Sequence, residues 1–365
     1  MNVDGKPERT IRPAADGAGV EIIDQTQLPF AFVRKRLTNL DDVAEAISAM
    51  RLRGAPLIGV AAAYGLALAL RDDPSDAGVS AACQRLLATR PTAVNLRWAL
   101  EQVRAALRDL PENERAQRAW LRAGELAEAD VAICRALAEH GLRLLEKRAA
   151  ERRGSGPLQV LTHCNAGWLA TVDWGTALAP LYLAHESDLE VHVWVDETRP
   201  RNQGASLTVW ELAQHGIPHT LVADNAGGHL MQTGQVDCCL VGTDRTTAAG
   251  DVCNKIGTYL QALAARDNGV PFYVAAPSSS IDWRVGNIAD VPIEERDADE
   301  LTRISGRAAD GEIVDVSLVA DGTRVANPAF DVTPARLVSA LITERGVCDA
   351  SPEGLERLFP TRSRR

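Results

Sequence analysis

The second part of the chain repeats one pattern, in which a short apolar run is followed by a polar turn and then by a segment with helical spacing. Strands that alternate with helices are joined by right-handed crossovers, and they build a parallel sheet with helices on its faces. The pattern therefore predicts an α/β chain with a Rossmann-like parallel sheet in its C-terminal domain. The predicted strands are 158–163, 190–195, 219–223, 236–242 and 271–276, and the predicted helices are about 168–184, 205–215, 227–233, 254–268 and 334–345.

The first part of the chain is predicted to be a smaller, mostly helical domain. Thr38 and Asp41 resemble a capping box, and Pro56 fits the first turn of a second helix that runs to about Leu70. A charged and then Gly/Ser/Pro-rich stretch at 146–157 indicates a linker. We therefore predict domains at 1–150 and 151–365. Two further helices are marked by apolar residues at helical spacing: Leu96, Leu100, Val103 and Leu107, then Leu126, Ile133, Leu137 and Leu144.

Composition argues against several kinds of partner. The net charge is −10, which disfavours a nucleic-acid binder but leaves room for a local cationic pocket. Residues 1–19 are polar and resemble no signal peptide, and apolar runs such as 57–70 are too short and too rich in Ala to span a bilayer. The seven cysteines show no paired metal-ligand spacing. We predict a cytoplasmic, reduced protein without membrane or nucleic-acid partners.

Polar and ionisable residues follow each of the five predicted strands, at the edge of a parallel sheet where ligands bind. Cys164 follows the first strand at a junction with a helix, where a thiol can become acidic; the alternative is a small core residue. Asp244 follows the fourth strand. It is either a cap or partner of Arg245, or a proton donor whose pKa is raised in a partly dry cleft.

Three other places predict contacts to a phosphate group. Arg53-Gly54-Ala55-Pro56 and Arg90 each precede a helix, where free backbone N–H groups and a guanidinium can hold an anion. Asn254-Lys255 is placed at another helix start, where a lysine is electrostatically unfavourable and therefore a candidate for function. Solvated surface charges are the alternative in each case. Because no dinucleotide or nucleotide-phosphate motif follows a strand, and the histidines lack zinc spacing, we predict no cofactor and no metal.

Several motifs occur together and in colinear order between about Ile23 and Gly346. Besides the segments at Arg53 and Arg90, they are Thr162-His163-Cys164-Asn165, Asp196-Glu197-Thr198-Arg199-Pro200-Arg201 with Gln203-Gly204-Ala205, Gly242-Thr243-Asp244-Arg245, and Asn254-Lys255-Ile256-Gly257-Thr258-Tyr259. Together they resemble the methylthioribose-1-phosphate isomerases. The motifs Ala275-Ala276-Pro277-Ser278-Ser279 and Asn327-Pro328-Ala329-Phe330-Asp331 extend the resemblance.

The resemblance implies a homodimer that converts 5-methylthioribose 1-phosphate to 5-methylthioribulose 1-phosphate in methionine salvage, without cofactor or metal. It makes Cys164 and Asp244 the catalytic pair. Asp244 would protonate the ring oxygen, and Cys164 would be either a base or a group that stabilises a hydride shift. The implied substrate contacts are Arg53, Gly54, Ala55, Arg90, Gln203, Asn254 and Lys255.

Two alternatives remain at this stage. An isomerase of 5-deoxyribose 1-phosphate or ribose 1,5-bisphosphate would use the same chemistry and differ only in the group on C5. A non-catalytic binding module is the other alternative, because regulatory subunits of translation initiation factor 2B share the expected fold.

Overall fold

The computed structural model describes residues 1–91, 93–152 and 155–360, and its first 37 residues form short strands. Three of the strands pair antiparallel in the order β3-β4-β5, so that Ile22 and Leu37 are buried on the face that meets the helices. Sequence reasoning predicted none of these strands, because they lie in a polar stretch without clear alternation. The strands are β1 Asn2–Val3, β2 Lys6–Pro7, β3 Ile11–Pro13, β4 Val20–Ile23 and β5 Arg34–Leu37.

Five helices follow, and the second lies at their centre. Helix α2 is rich in Ala and Leu and buried on nearly all sides, and its first turn contains Pro56 as predicted. It packs against α4 and α5. Helix α3 was not predicted. The helices are α1 Leu40–Ser48, α2 Ala55–Ala69, α3 Asp76–Leu87, α4 Val94–Leu107 and α5 Glu112–Glu151.

The ends of two helices differ from the prediction. The N-cap of α1 is Asn39, whose side chain accepts from the N–H of Asp42, while Thr38 donates to the Asp42 carboxylate. The cap therefore lies one residue later than the predicted pair of Thr38 and Asp41. Helix α5 continues to Glu151, through the first half of the predicted linker. Residues 146–151 are Glu, Lys, Arg and Ala, which are good helix formers.

The C-terminal part contains a seven-stranded sheet in the order β18-β17-β12-β9-β6-β7-β8, and only β18 is antiparallel. The predicted α/β class, with a largely parallel sheet and a helical N-terminal part, is confirmed. The strands, including those outside this sheet, are β6 Leu158–Thr162, β7 Val191–Asp196, β8 His219–Val222, β9 Cys238–Val241, β10 Arg245–Thr247, β11 Val252–Lys255, β12 Phe272–Ala275, β13 Ile281–Asp282, β14 Arg303–Arg307, β15 Ile313–Ser317, β16 Phe330–Thr333, β17 Ala340–Thr343 and β18 Gly346–Cys348.

Helices cover both faces of this sheet, and the strand order reverses at β6, which lies between β7 and β9. Such a reversal opens a crevice at the carboxyl ends of the strands, where ligands of α/β proteins bind. Cys164 follows β6 and Asp244 follows β9. The helices are α6 Ala179–Glu186, α7 Val209–Gln214, α8 Ala226–Gln232, α9 Thr258–Asp267, α10 Asp299–Thr302 and α11 Pro352–Leu358.

Three predicted helices are wrong in whole or in part. Residues 334–345 form one 3-10 turn and then β17, whose four buried residues pair with β12. Asn254 and Lys255 lie on β11, where they pair with β16, and α9 begins only at Thr258. The predicted helix at 168–184 is a 3-10 turn at Trp168–Ala170 followed, after a loop, by α6. Within the described ranges, no helix has both the length and the apolar composition needed to cross a bilayer.

Candidate active site

A cleft lies between the start of α2 and the carboxyl ends of β6, β9 and β11. It encloses about 630 Å³, part of which is open to solvent. Every residue that the sequence singled out for catalysis or substrate binding lines this cleft. These residues are Arg53, Gly54, Ala55, Arg90, Cys164, Gln203, Asp244, Asn254 and Lys255.

The start of α2 presents backbone N–H groups at one wall of the cleft. Gly54 is the N-cap, with no side-chain hydrogen bond to the first turn, and Pro56 follows within that turn. Only glycine fits position 54, because its φ is +102° and an added Cβ would lie 2.3 Å from the carbonyl oxygen of Ala170. Uncapped N–H groups of a helix start attract anions. The helix start that the sequence predicted to bind an anion therefore lies at the cleft wall. Binding of an anion there stays a prediction.

Arg53 is held in place by Asn165, the residue after Cys164. Its guanidinium donates to the backbone oxygen of Asn165 at 2.6 Å and also to the side-chain oxygen of the same residue. Arg53 is buried and lines the cleft; within the described ranges, no carboxylate lies within ion-pair distance of it, and the charges of Asp244 and Glu211 act on it from farther away. Two of the five N–H donors of Arg53 are used by Asn165, which leaves others for a bound anion.

Behind this pair lies a buried carboxylate that sequence reasoning missed. Glu211 on α7 accepts hydrogen bonds from the side chains of Asn165 and Tyr182, and from the backbone N–H groups of Trp168 and Leu169. Burial raises the pKa of Glu211, and the hydrogen bonds from Tyr182, Asn165 and Leu169, together with the charge of Arg53, offset that rise only in part. Glu211 thereby orients Asn165, which in turn orients Arg53. The only sequence signal was a charged residue between Trp210 and Leu212 on a short helix.

Cys164 has a left-handed backbone with φ of +65°, which is rare for a residue other than glycine. Its N–H donates to Thr198 Oγ1 at 2.9 Å, and its Sγ donates to Gln203 Oε1 at 3.2 Å. Burial raises the pKa of the Cys164 thiol, while the positive charges of Arg53 and Lys255 oppose that rise. Unusual backbone conformations are concentrated at functional sites, where surrounding contacts stabilise them. The sulfur therefore lies in the cleft as a fixed, protonated thiol.

Asp244 faces the same cleft from the loop after β9. Burial raises its pKa, and the nearby cations Lys255, Arg90 and Arg53 partly offset the rise. A carboxyl group with a raised pKa can donate a proton near neutral pH. Arg245 was the alternative ion-pair partner for Asp244. It lies instead 3.7 Å from the carboxylate of Asp282.

The cations around Asp244 are buried rather than solvated. Lys255 lies with its ammonium 4.7 Å from the ring centroid of Phe330, and burial lowers the pKa of this lysine. Arg90, whose charge also acts on Asp244, lies 3.4 Å from Glu294. Next to Lys255, the Asn254 side chain donates to Thr258 Oγ1 at 3.0 Å. Positive charge in a partly dry cleft attracts an anion more strongly than the same charge in water.

A buried histidine next to Cys164 links two walls of the site. His163 Nδ1 lies 2.8 Å from Asp196 Oδ2, and Nε2 lies 2.8 Å from the carbonyl oxygen of Ile256, beside Lys255. Both partners of the ring are oxygens, and the carboxylate at Nδ1 favours the protonated imidazole. Burial lowers the pKa of His163, but the hydrogen bond and charge of Asp196 raise it overall. The sequence motif contained His163, but its partner could not be identified without the fold.

His163 and Asp196 also form, with Asp224, a group whose ligand atoms lie within 4.8 Å of one another. These groups already have partners in the fold. Gln261 donates to Asp196, and the backbone N–H groups of Thr198 and Arg199 donate to Asp224. The arrangement is that of a hydrogen-bonded network behind the cleft.

Taken together, the cleft combines a thiol, a carboxyl group of raised pKa, buried cations and a helix start. This set can hold a small phosphorylated molecule and move protons on it. The model of the initiation factor 2 subunit family matches residues 51–350, and the chain belongs to this family.

Within that family, the chain belongs to the methylthioribose-1-phosphate isomerases. A protein of that name from Methylorubrum extorquens is 64% identical over 365 residues, which is 100% of both chains. Among solved structures, 5-methylthioribose 1-phosphate isomerase from Pyrococcus horikoshii OT3 has a TM-score of 0.83 and 38% identity, covering 97% of this chain and 96% of its own.

A structure described as translation initiation factor eIF-2B, subunit delta, from A. fulgidus is also similar. Its TM-score is 0.78, and it is 39% identical over 96% of this chain and 99% of its own. Similarity of fold alone therefore does not separate the isomerases from initiation factor subunits. The full-length identity to the Methylorubrum protein does separate them.

Proposed function

We propose that this protein is an aldose–ketose isomerase that converts 5-methylthioribose 1-phosphate to 5-methylthioribulose 1-phosphate in methionine salvage. The observation that carries the proposal is the meeting of Cys164 and Asp244 in one cleft that also contains buried cations. Support from comparison comes from the 64% identical relative that bears this enzyme name.

The first step of the reaction, ring opening, needs an acid. Its phosphate is attached to the anomeric oxygen, so the ring cannot open as a free hemiacetal does. The bond between C1 and the ring oxygen breaks only when that oxygen receives a proton. Asp244 is the proposed donor, because burial raises its pKa and makes the neutral carboxyl group available.

Hydrogen must then move from C2 to C1, and Cys164 is the proposed residue at that position. In one route, a base takes the C2 proton and an enol phosphate forms; C1 is then protonated, and the C2 hydroxyl loses its proton to leave the ketone. In the other route, the C2 hydrogen moves to C1 with its electron pair, and the C2 hydroxyl loses its proton. In the first route, Cys164 acts as the base only after its thiol has lost its proton to solvent. In the second route, the protonated thiol, which donates to Gln203, is a stabilising group in the cleft.

The phosphate is proposed to bind at the start of α2, with Arg53, Arg90 and Lys255 beside it. Gly54 and Ala55 would contribute backbone N–H groups or close backbone contact, and Gln203 and Asn254 would bind sugar hydroxyls. A closed, dry cleft would also protect the intermediate, because an enol phosphate can lose its phosphate in water. No metal or cofactor takes part in the proposed reaction.

A direct test is to incubate the protein with methylthioribose 1-phosphate, 5-deoxyribose 1-phosphate and ribose 1,5-bisphosphate, and to follow ketose formation by NMR. The proposal expects the highest kcat/KM for the methylthio substrate, unchanged after treatment with a chelator. Deuterium at C1 of product formed in D2O would mark the proton-transfer route. If another sugar phosphate is preferred, the reaction class stands and the pathway assignment is wrong.

The second candidate is a regulatory binding module, which the likeness to the A. fulgidus subunit favours. Binding of the sugar phosphates without any turnover would support this candidate and contradict the proposed enzyme. Cys164 and Asp244 in the same cleft favour the enzyme.

The remaining parts of the proposal concern the whole molecule. We propose a homodimer, which is supported by exposed apolar side chains on and after the β14–β15 hairpin, including Ile313, Val316 and Leu318. Light scattering should then give twice the chain mass of 39.2 kDa. A cytoplasmic location is supported by seven unpaired cysteines. We propose a domain boundary between residues 150 and 151, which is supported by the core that α1 to α4 share with the first half of α5.

A further inference from the structure

Arg90, one of the cations proposed to hold the phosphate, faces a carboxylate of the same chain. Its buried Nε lies 3.4 Å from Oε2 of Glu294, yet within the described ranges this nitrogen donates no hydrogen bond. A buried N–H without an acceptor costs free energy, so the guanidinium gains by turning toward a better acceptor. At Nε, the ion pair between Arg90 and Glu294 is therefore not reinforced by a hydrogen bond.

Glu294 is held more firmly on its other side. Its Oε1 accepts a hydrogen bond from Arg296 at 2.8 Å, and its backbone carbonyl oxygen accepts from the N–H of Ala329 at 2.8 Å. Arg296 is fixed in turn, because it donates to Glu300 at 2.6 Å. Glu294 thus keeps its place and a cationic partner when Arg90 moves away from it.

The ion pairs around Glu294 form a chain that runs from the start of α4 to the loop after β7. Three guanidinium groups alternate in it with two carboxylates, in the order Arg90, Glu294, Arg296, Glu300 and Arg201. If Arg90 turns to a bound anion, the other four groups remain as two matched pairs. Loss of a partner is costly only for a buried charge that is left alone, so the release of Arg90 costs little.

Arg90 therefore has two competing anionic partners, because it also lines the cleft in which the phosphate is proposed to bind. We propose that Glu294 is a positioning residue, which holds Arg90 in the free protein and releases it to the phosphate of the bound substrate. Glu294 would act on the reaction through Arg90, without touching the substrate. This inference rests on the proposed function.

The charges around Asp244 are consistent with this exchange of partners. Burial raises the pKa of Asp244, the charge of Arg90 opposes that rise, and the charge of Glu294 adds to it. Glu294 thus offsets part of the effect of Arg90 on the proposed proton donor, and a bound phosphate would do the same after the exchange. The other charged or titratable groups that act on Asp244 or are acted on by it are Lys255 and Cys253 on β11, Arg53 before α2 and Cys164 after β6.

The first test removes the competing charge. Glu294→Gln keeps the size of the side chain, and Glu101→Gln is a matched control at an exposed position of α4. KM for methylthioribose 1-phosphate should fall by roughly 3-fold or more in Glu294→Gln, because the phosphate no longer competes with a carboxylate, and kcat should change by a smaller factor. The control should keep the wild-type KM. An unchanged or higher KM in folded Glu294→Gln would overturn the inference.

A double-mutant cycle tests whether Glu294 acts through Arg90. Arg90→Gln should raise KM, and the addition of Glu294→Gln to that variant should change KM by less than about 1.5-fold, because the contested guanidinium is gone. If Glu294→Gln lowers KM by the same factor with and without Arg90, the proposed exchange of partners is wrong.

The third readout is the pH dependence of kcat/KM, which reports the acid of the free enzyme. Because the charge of Glu294 favours the protonated form of Asp244, the falling limb at high pH should move to lower pH in Glu294→Gln. It should stay in place in Glu294→Asp, which keeps the charge and protects the test against misfolding of the amide variant. An unmoved limb in folded Glu294→Gln, or a moved limb in Glu294→Asp, would overturn the inference and leave the proposed function intact. If the wild-type protein turns over no sugar 1-phosphate, the proposed function fails and this inference fails with it.

Discussion

The thiol of Cys164 donates a hydrogen bond to Oε1 of Gln203, with sulfur and oxygen 3.2 Å apart. This contact joins the loop after β6 to the loop after β7. The backbone N–H of Cys164 reinforces the connection through Thr198, which lies on the second loop. The position of the sulfur is therefore set by two neighbouring strands.

Replacing Gln203 with Ala should lower the pKa of Cys164. An acceptor that bonds the neutral thiol disfavours the thiolate, so loss of that acceptor should lower the pKa of the Cys164 thiol. The measurement is the rate of iodoacetamide alkylation at Cys164 against pH, read by mass spectrometry of the peptide. Gln232→Ala, on the exposed face of α8, is the control. An unchanged alkylation profile in the Gln203 variant would contradict the account.

Replacing Gly54 with Ala should disrupt the anion site at the start of α2. The new Cβ would lie 2.3 Å from the Ala170 oxygen, and φ of +102° is strained for alanine. We expect a loss of about 1–3 kcal/mol in the free energy of unfolding from the backbone strain and at least a 100-fold loss of kcat/KM. Urea unfolding and the NMR assay provide the two values.

The matched control for this change is Gly124→Ala in the interior of α5. An added Cβ there meets only the Tyr64 hydroxyl, at 3.8 Å. Because alanine is the better helix former, this variant should gain about 0.5–1 kcal/mol and keep wild-type activity. If both substitutions change stability and kcat/KM by the same amount, the backbone conformation and close contact of Gly54 are not the cause of the loss.

Asp130 should make the stability of the fold depend on pH. It lies buried on α5, where it accepts from the N–H of Val172 at 2.8 Å, and burial raises its pKa to about 7. Between pH 4 and 7 the folded chain keeps a proton that the unfolded chain has lost. The contribution of Asp130 to stability therefore falls as pH rises through this window and is constant above it.

Asp130→Asn removes this titration while its amide oxygen can still accept from Val172. The free energy of unfolding of the variant, relative to wild type, should rise by roughly 2–3 kcal/mol from pH 5 to pH 8, because about two pH units of the window lie there. Urea unfolding at the two pH values measures the difference. Asp109→Asn, at an exposed position, should show no comparable rise. If the free energy of unfolding of Asp130→Asn relative to wild type is the same at pH 5 and pH 8, buried Asp130 does not titrate in this range.

The parallel strands could be predicted because each is a short, buried apolar run bounded by polar turns. The same signal misled at residues 340–343, where an apolar run was assigned to a helix. Only its pairing with Tyr273 and Val274 on the neighbouring strand makes it β17. Likewise, Asn254 and Lys255 are on a strand because Asp331 and Phe330 pair with them from a distant part of the chain.

The site residues that belong to sequence motifs could be predicted. The buried residues that hold those side chains in position could not. Cys164 and Asp244 follow strands that sequence patterns locate. Glu211 and the pairing of His163 with Asp196 depend on contacts between residues more than 30 positions apart. The left-handed backbone of Cys164 also depends on those contacts, since no local turn motif predicts it.

The central claim is that Cys164 and Asp244 carry out the isomerisation of a bound sugar 1-phosphate. The most direct test is to measure both turnover and substrate binding in Cys164→Ser and Asp244→Asn, using NMR and titration calorimetry. The account predicts that kcat falls by about 1,000-fold or more in each variant, while the Kd for methylthioribose 1-phosphate stays within about 10-fold of wild type. Near-wild-type turnover in either folded variant would contradict the role given to that residue.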